Sequence, residues 1–148
     1  MTCGEENRDL FSVPEEYHLA HCISADFALG KGIALQFNQR FDLKRRLREN
    51  HPGYLERFPG GDCILEGRVL NLVTKRRYFH KPTLGTMETA LEKMRELCLH
   101  QGIVKVAMPR IGAGLDRLSW EDTAALIRTV FQNTEVEILV CTPENSQI

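Results

Sequence analysis

The feature that most constrains this chain is an alternation of two hydrophobic periodicities between Cys63 and Thr142. "CILEGRVLNLVTK" (Cys63–Lys75) reads as two strands around Glu66-Gly67. After Pro82, Met87, Ala90, Leu91, Met94, Leu97 and Cys98 recur on one helical face, and Gly102 stands where a helix would stop. "IVKVAM" (Ile103–Met108) predicts a strand. Ser119 with Asp122 matches a capping box, opening a helix with Ile127, Val130 and Phe131 facing inward. "VEILVCT" (Val136–Thr142) is a last apolar strand. Upstream, "HLAHCIS" (His18–Ser24) reads as a strand, and Ile33, Phe37 and Phe41 give the next segment helical spacing. Asp42 is placed to cap a short helix carrying Leu43 and Leu47, and residues 51–62 read as loop. Near-continuous apolar strands alternating with amphipathic helices need cover on both faces. That requirement predicts a largely parallel sheet between helical layers.

Length and charge narrow the function classes. The 148 residues fit one domain, and 43% hydrophobic with 26% charged residues is ordinary for a water-soluble fold. No apolar stretch reaches the roughly 20 residues of a membrane span. The opening "MTCGEENRDLF" is polar, without a secretory pattern. Neither a membrane nor a sequence-specific nucleic-acid partner is expected, the latter because the net charge is -1. Five scattered cysteines and five histidines show no zinc spacing, so the reading is reduced thiols, an intracellular setting, no metal and no cofactor.

Two loops follow predicted strands and are stripped of side chains. One is "ALGKGIA" (Ala28–Ala34), the other "MPRIGAGLDRLSW" (Met108–Trp120). Neither is a Walker loop or a dinucleotide fingerprint. Each is either a tight turn or a backbone that lets a phosphate approach beside a helix N-terminus. In parallel sheets ligands bind at the carboxyl ends of strands, where both loops lie. Lys75 is either part of a solvated basic face with Arg76 and Arg77, or a lysine whose pKa those charges or burial lower until its amine is nucleophilic. Asp116 is either a dipole-favoured acid before a helix or an acid/base on a ribose. His21, Cys22 and Cys141 read as core residues, His80 and Lys81 as shaping a helix entry, and Trp120 as a helix anchor.

The motifs "DLF" (Asp9–Phe11), "LAHCIS" (Leu19–Ser24), "GKGIA", "LVTKR" (Leu72–Arg76), "HKPT" (His80–Thr83) and "MPRIGAGLDRLSW" occur in one order from Asp9 to about Thr142. Together they resemble the macrodomain family, in its ADP-ribosyl glycohydrolase and O-acyl-ADP-ribose deacetylase branch. The resemblance implies a three-layer α/β/α sandwich with a central mixed, largely parallel sheet, spanning residues 1–148. It implies Lys75 as nucleophile and Asp116 as catalytic acid. It places Asp9 and Leu10 at the adenine and Ser24 at the distal ribose. Gly30, Lys31, Gly32 and Ile33, with Arg110, Ile111, Gly112, Ala113, Gly114, Leu115 and Asp116, would wrap the diphosphate and distal ribose. Pro143 would stand on the adenosine wall.

The implied activity is removal of mono-ADP-ribose from Glu or Asp side chains of proteins and deacylation of O-acyl-ADP-ribose, in nucleus and cytoplasm. A non-catalytic ADP-ribose reader and an ADP-ribose-1''-phosphate phosphatase are the alternatives on the same scaffold. The sequence departs from the pattern at Arg8, where the family has glycine before the aspartate. With almost nothing apolar ahead of it, a shortened or missing first strand is expected, with residues 1–8 and 144–148 as flexible ends. Cys141 and Pro143 also replace the familiar aromatic and aliphatic residues of the adenosine wall.

Overall fold

The computed structural model describes residues 1–143; the expectation for 144–148 lies outside the described residues. Six strands form one sheet: β1 (Thr2–Asn7), β2 (His18–Ser24), β3 (Asp62–Glu66), β4 (Val69–Lys75), β5 (Lys105–Met108) and β6 (Glu137–Thr142). Their order is β1-β6-β5-β2-β4-β3, every neighbouring pair parallel except β3–β4. The helices are α1 (Gly32–Phe41), α2 (Leu43–Asn50), α3 (Tyr54–Arg57), α4 (Leu84–Gln101) and α5 (Trp120–Phe131).

Strand β4 shows why the sheet needs two covers. Successive side chains point to opposite faces. Val69 and Val73 pack in one core with Phe37, Leu43, Leu47 and Tyr54 of α1–α3. Leu70 and Leu72 pack in the other with Met87, Leu91 and Met94 of α4 and Ile127 and Phe131 of α5. The expected sandwich with a mixed, largely parallel sheet is the architecture found. Helix α4 is bounded by local chemistry. Thr83 and Thr86 form a reciprocal capping box, and Gly102 closes the helix at φ 70°.

Three expectations are corrected. Residues 2–7 are strand β1, paired in register from Thr2–Glu137 to Asn7–Thr142, with the Met1 ammonium on the Thr134 carbonyl at 2.6 Å. All six side chains of β1 are exposed, so backbone pairing with β6, and not apolar burial, is what holds it in the sheet, and no apolar pattern marked it. Asp42 sits in left-handed conformation without a capping bond; its carboxylate pairs with Arg45 at 2.5 Å, and Asn38 Oδ1 accepts the first-turn Lys44 amide in its place at 2.8 Å. The loop at 51–62 contains α3, anchored by buried Tyr54, whose hydroxyl donates to Asp62.

Candidate active site

Because β1, β6, β5, β2 and β4 run parallel, their carboxyl ends share one edge of the sheet. Along that edge lie, in order, Asp9 and Leu10 after β1, Pro143 after β6, the loop Pro109–Ser119 after β5, the loop Ala25–Lys31 after β2, and Lys75 ending β4. Four strand spacings of about 4.8 Å make this edge, the candidate cleft, ~19 Å long. That length suits a ligand with two nucleoside-sized ends.

At the β4 end, the Lys75 ammonium meets the Asp116 carboxylate at 2.6 Å, both side chains 14% exposed. They are 41 residues apart in sequence. Arg76 does not press on the lysine, since its guanidinium bonds the Leu55 and Phe58 carbonyls. The lysine's immediate partner is a carboxylate. Beside the pair, the Ser24 hydroxyl donates to Asp26 at 2.5 Å.

Asp26 is the residue that sequence reasoning missed. Its carboxylate also accepts the amides of Ala28 at 3.2 Å and Tyr78 at 2.9 Å. The Ala25 and Asp26 amides donate in turn to the carbonyls of Lys75 and Arg76. One buried-edge carboxylate therefore joins the loop after β2 to the exit of the Lys75 strand. The bond to Ala28, two residues on, is the Asx pattern and carries a local signal; the bond to Tyr78 carries none. The same loop holds Phe27 and Leu29 at φ 53° and 42°, conformations that cost free energy outside glycine.

The glycines divide into two kinds. Gly112 has φ 77°, and a Cβ there would lie 3.0 Å from Met87 Cε and 3.1 Å from Leu118 Cδ1. Packing and backbone demand it. Gly30 and Gly114 have neither positive φ nor a neighbour closer than 3.8 Å, so nothing within the chain requires them. A backbone bared without internal cause suits the close approach of a ligand. Helix α1 begins at Gly32, directly after Lys31, so its free first-turn amides adjoin the first loop. The second loop is different: α5 starts at Trp120, after Ser119 accepts the Asp122 amide, well beyond Gly114.

Other expected residues fall on the edge with their side chains already engaged. Asp9 caps the turn Leu10–Ser12 by accepting the Phe11 amide, and Leu10 is buried in the core. Ile111 is buried and Ile33 half-buried, whereas Lys31, Leu115 and Pro143 are exposed and Ala113 half-exposed. The Arg110 guanidinium pairs with Glu5 through two bonds of 3.0 and 2.6 Å and lies over Trp120. It faces β1. His21 is a core residue as expected, donating to Asn71 and stacked on Phe37 at 3.9 Å. Burial pushes its pKa down to about 4. Burial likewise keeps the Cys22 and Cys63 thiols well above their usual range.

Among the described residues, no cluster of three His, Cys, Asp or Glu side chains is arranged for a metal, and no helix is long and apolar enough to cross a membrane. Two shallow depressions, one around Arg45 on α2 and one between Tyr54 and Gln101, share no residue with the cleft.

No family model matches the chain. The human ADP-ribose glycohydrolase OARD1 is 40% identical over 140 residues, covering 90% of this chain and 87% of that protein. The macrodomain of Thermus aquaticus DarG superposes with a TM-score of 0.76 at 23% identity, over 96% of this chain and 99% of the other. Thermosipho africanus DarTG, solved in complex with ADP-ribose, superposes with a TM-score of 0.69 at 19% identity, over 94% of this chain and 40% of the other. The structural likenesses establish the macrodomain fold, and the identity sustained over nine-tenths of the chain establishes the branch: the chain belongs to the macrodomain family of ADP-ribose glycohydrolases.

Proposed function

We infer that this chain is an ADP-ribosyl hydrolase that releases ADP-ribose from acidic side chains of proteins and from O-acyl-ADP-ribose, with Lys75 as nucleophile and Asp116 as acid and base. The observation that carries the reading is the 2.6 Å contact between Lys75 and Asp116 at the end of a cleft lined by two bared loops. A protein that only held ADP-ribose would use the loops and have no use for the pair.

The contact also supplies the proton path. The Lys75 ammonium transfers a proton to Asp116, leaving a neutral amine aimed at the distal ribose. The amine attacks C1'', a C–N bond forms, and the C–O bond to the acyl group breaks. Asp116 returns its proton to the departing carboxylate. Opening of the N-linked ring gives an iminium. Water, deprotonated by Asp116, adds to it, and collapse frees ADP-ribose and the lysine. Gly30–Ile33 and Ile111–Leu115 hold the diphosphate through backbone amides, with Asp9, Leu10 and Pro143 at the adenosine end.

Lys75→Ala tests this directly. Turnover of glutamate-linked ADP-ribose falls by at least about 10³-fold, while calorimetric ADP-ribose affinity stays within about tenfold. Borohydride added during turnover traps a sugar adduct on the wild type and none on the variant. Wild-type rates from Lys75→Ala would remove the nucleophile from the reading.

A further inference from the structure

Among the described residues, the three most exposed large apolar side chains are Tyr78, Phe79 and Leu115, at 59%, 64% and 63%. All three lie within four residues of Lys75 or Asp116 along the chain. Tyr78 and Phe79 follow Lys75 by three and four residues, and Leu115 precedes Asp116. The Tyr78 amide is tied to Asp26, and the Lys81 ammonium donates to the Leu115 carbonyl at 2.7 Å. The segment from Arg76 to Lys81 is thus fastened at both sides to the loops of the cleft. Its rings touch: Tyr78 and Phe79 pack edge to face at 5.3 Å and 87°.

Neither ring is used by the core. We propose that the Tyr78–Phe79 edge, with Leu115, is the docking surface for the polypeptide that carries the ADP-ribose. This rests on the hydrolase reading above. When C1'' lies at Lys75, the group attached to it leaves the cleft past Asp116 and the segment after β4. An acetyl ester ends there. A modified glutamate continues into a polypeptide, and the first side chains it meets are these.

Charge completes the match. Among the described residues, Arg77, Lys81 and Arg117 form no ion pair with a carboxylate. They frame the apolar edge with cations, complementary to a polypeptide with acidic residues beside the modified one. Nucleic acid fits less well. Rings crossed at 87° do not offer parallel faces on which successive bases stack, and the chain's net charge is -1.

The test compares three ligands on the wild type, Phe79→Ser and the double variant Tyr78→Ser/Phe79→Ser. KM for a glutamate-ADP-ribosylated protein rises roughly tenfold in the double variant. Hydrolysis of O-acetyl-ADP-ribose and affinity for free ADP-ribose change by less than about twofold. Arg77→Glu raises the protein KM again without touching the small ester. An unchanged protein KM overturns the proposal, as does a parallel loss on all three ligands, which would make the edge part of the ADP-ribose cleft. With an ADP-ribosylated oligonucleotide as a fourth ligand, a loss confined to it also overturns the proposal, in favour of nucleic acid. Wild-type turnover of O-acetyl-ADP-ribose in the same assay separates failure of this surface from failure of the hydrolase reading.

Discussion

The loops after β2 and β5 look alike in sequence, each a glycine-rich exit from an apolar strand, and they are built on opposite principles. The loop after β2 is held by a side chain. Asp26 gathers Ser24, Ala28 and Tyr78, and the strain of Phe27 and Leu29 is set against those bonds. It then runs straight into α1 and its open amides. The loop after β5 is held by a glycine. Gly112 turns the backbone so that its carbonyl takes the Leu118 amide at 2.7 Å, against Met87 below. That turn presents Asp116 to Lys75. In the proposed reaction the first loop would shape the binding surface and the second would deliver the acid. Glycine content alone says nothing of which is which.

Gly112→Val strikes the second loop where it is built. A β-branched residue at φ 77° with Met87 and Leu118 in the way costs about 3 kcal/mol. A midpoint lower by roughly 10 °C in thermal unfolding is the expected outcome. A stable variant with only weakened ligand binding would mean that the diphosphate, and not the core, is what requires a glycine at 112.

The first loop alone springs from a strand with a buried titratable group. His21 has its pKa at about 4 in the fold against 6.5 unfolded, so the unfolded chain binds the extra proton between those values. Stability is complete above pH 6.5 and declines on the order of 3 kcal/mol as pH falls to about 4. Denaturant titrations at several pH values measure the slope. His21→Gln, which keeps a donor for Asn71, flattens it; an unchanged slope would assign the acid sensitivity elsewhere.

Gly114→Ala sharpens the comparison from the ligand side. The added methyl meets nothing in the chain, so stability shifts by less than about 0.5 kcal/mol. ADP-ribose affinity weakens about tenfold, because the methyl stands where a phosphate approaches. Equal affinities would return Gly114 to the structural class.

The smallest effect is expected at Arg110. Its guanidinium is engaged with Glu5 on the exposed surface, so Arg110→Ala changes ADP-ribose affinity by less than about twofold. A large loss by calorimetry would show that the arginine swings into the cleft when the ligand arrives.

Much of the fold was legible because its rules are local. The spacing of Met87, Ala90, Leu91, Met94 and Cys98, the start beyond Pro82 and the stop at Gly102 delimit α4 within the segment itself; the Thr83–Thr86 capping box went unread. Strands β2 and β4 announce themselves by apolar runs that only a doubly covered sheet can bury. Lys75 and Asp116 stood out through the motif resemblance; charge and spacing left each with an ordinary alternative.

Tertiary structure decided the rest, for reasons of distance along the chain. Strand β1 is polar and exposed along its length, and exists because its backbone groups are satisfied by β6, some 135 residues away. The 2.6 Å contact of Lys75 with Asp116 depends on β2 separating β4 from β5 in the sheet, an order no segment encodes alone. The split between Gly112 and Gly114 depends on whether α4 sends a Met87 methyl beneath the loop. Sequence periodicity determined which segments are strands and helices, since burying an apolar face is a property of each segment. Which loop end meets which, and so which glycine the core requires and which it leaves free, is a property of the packed sheet.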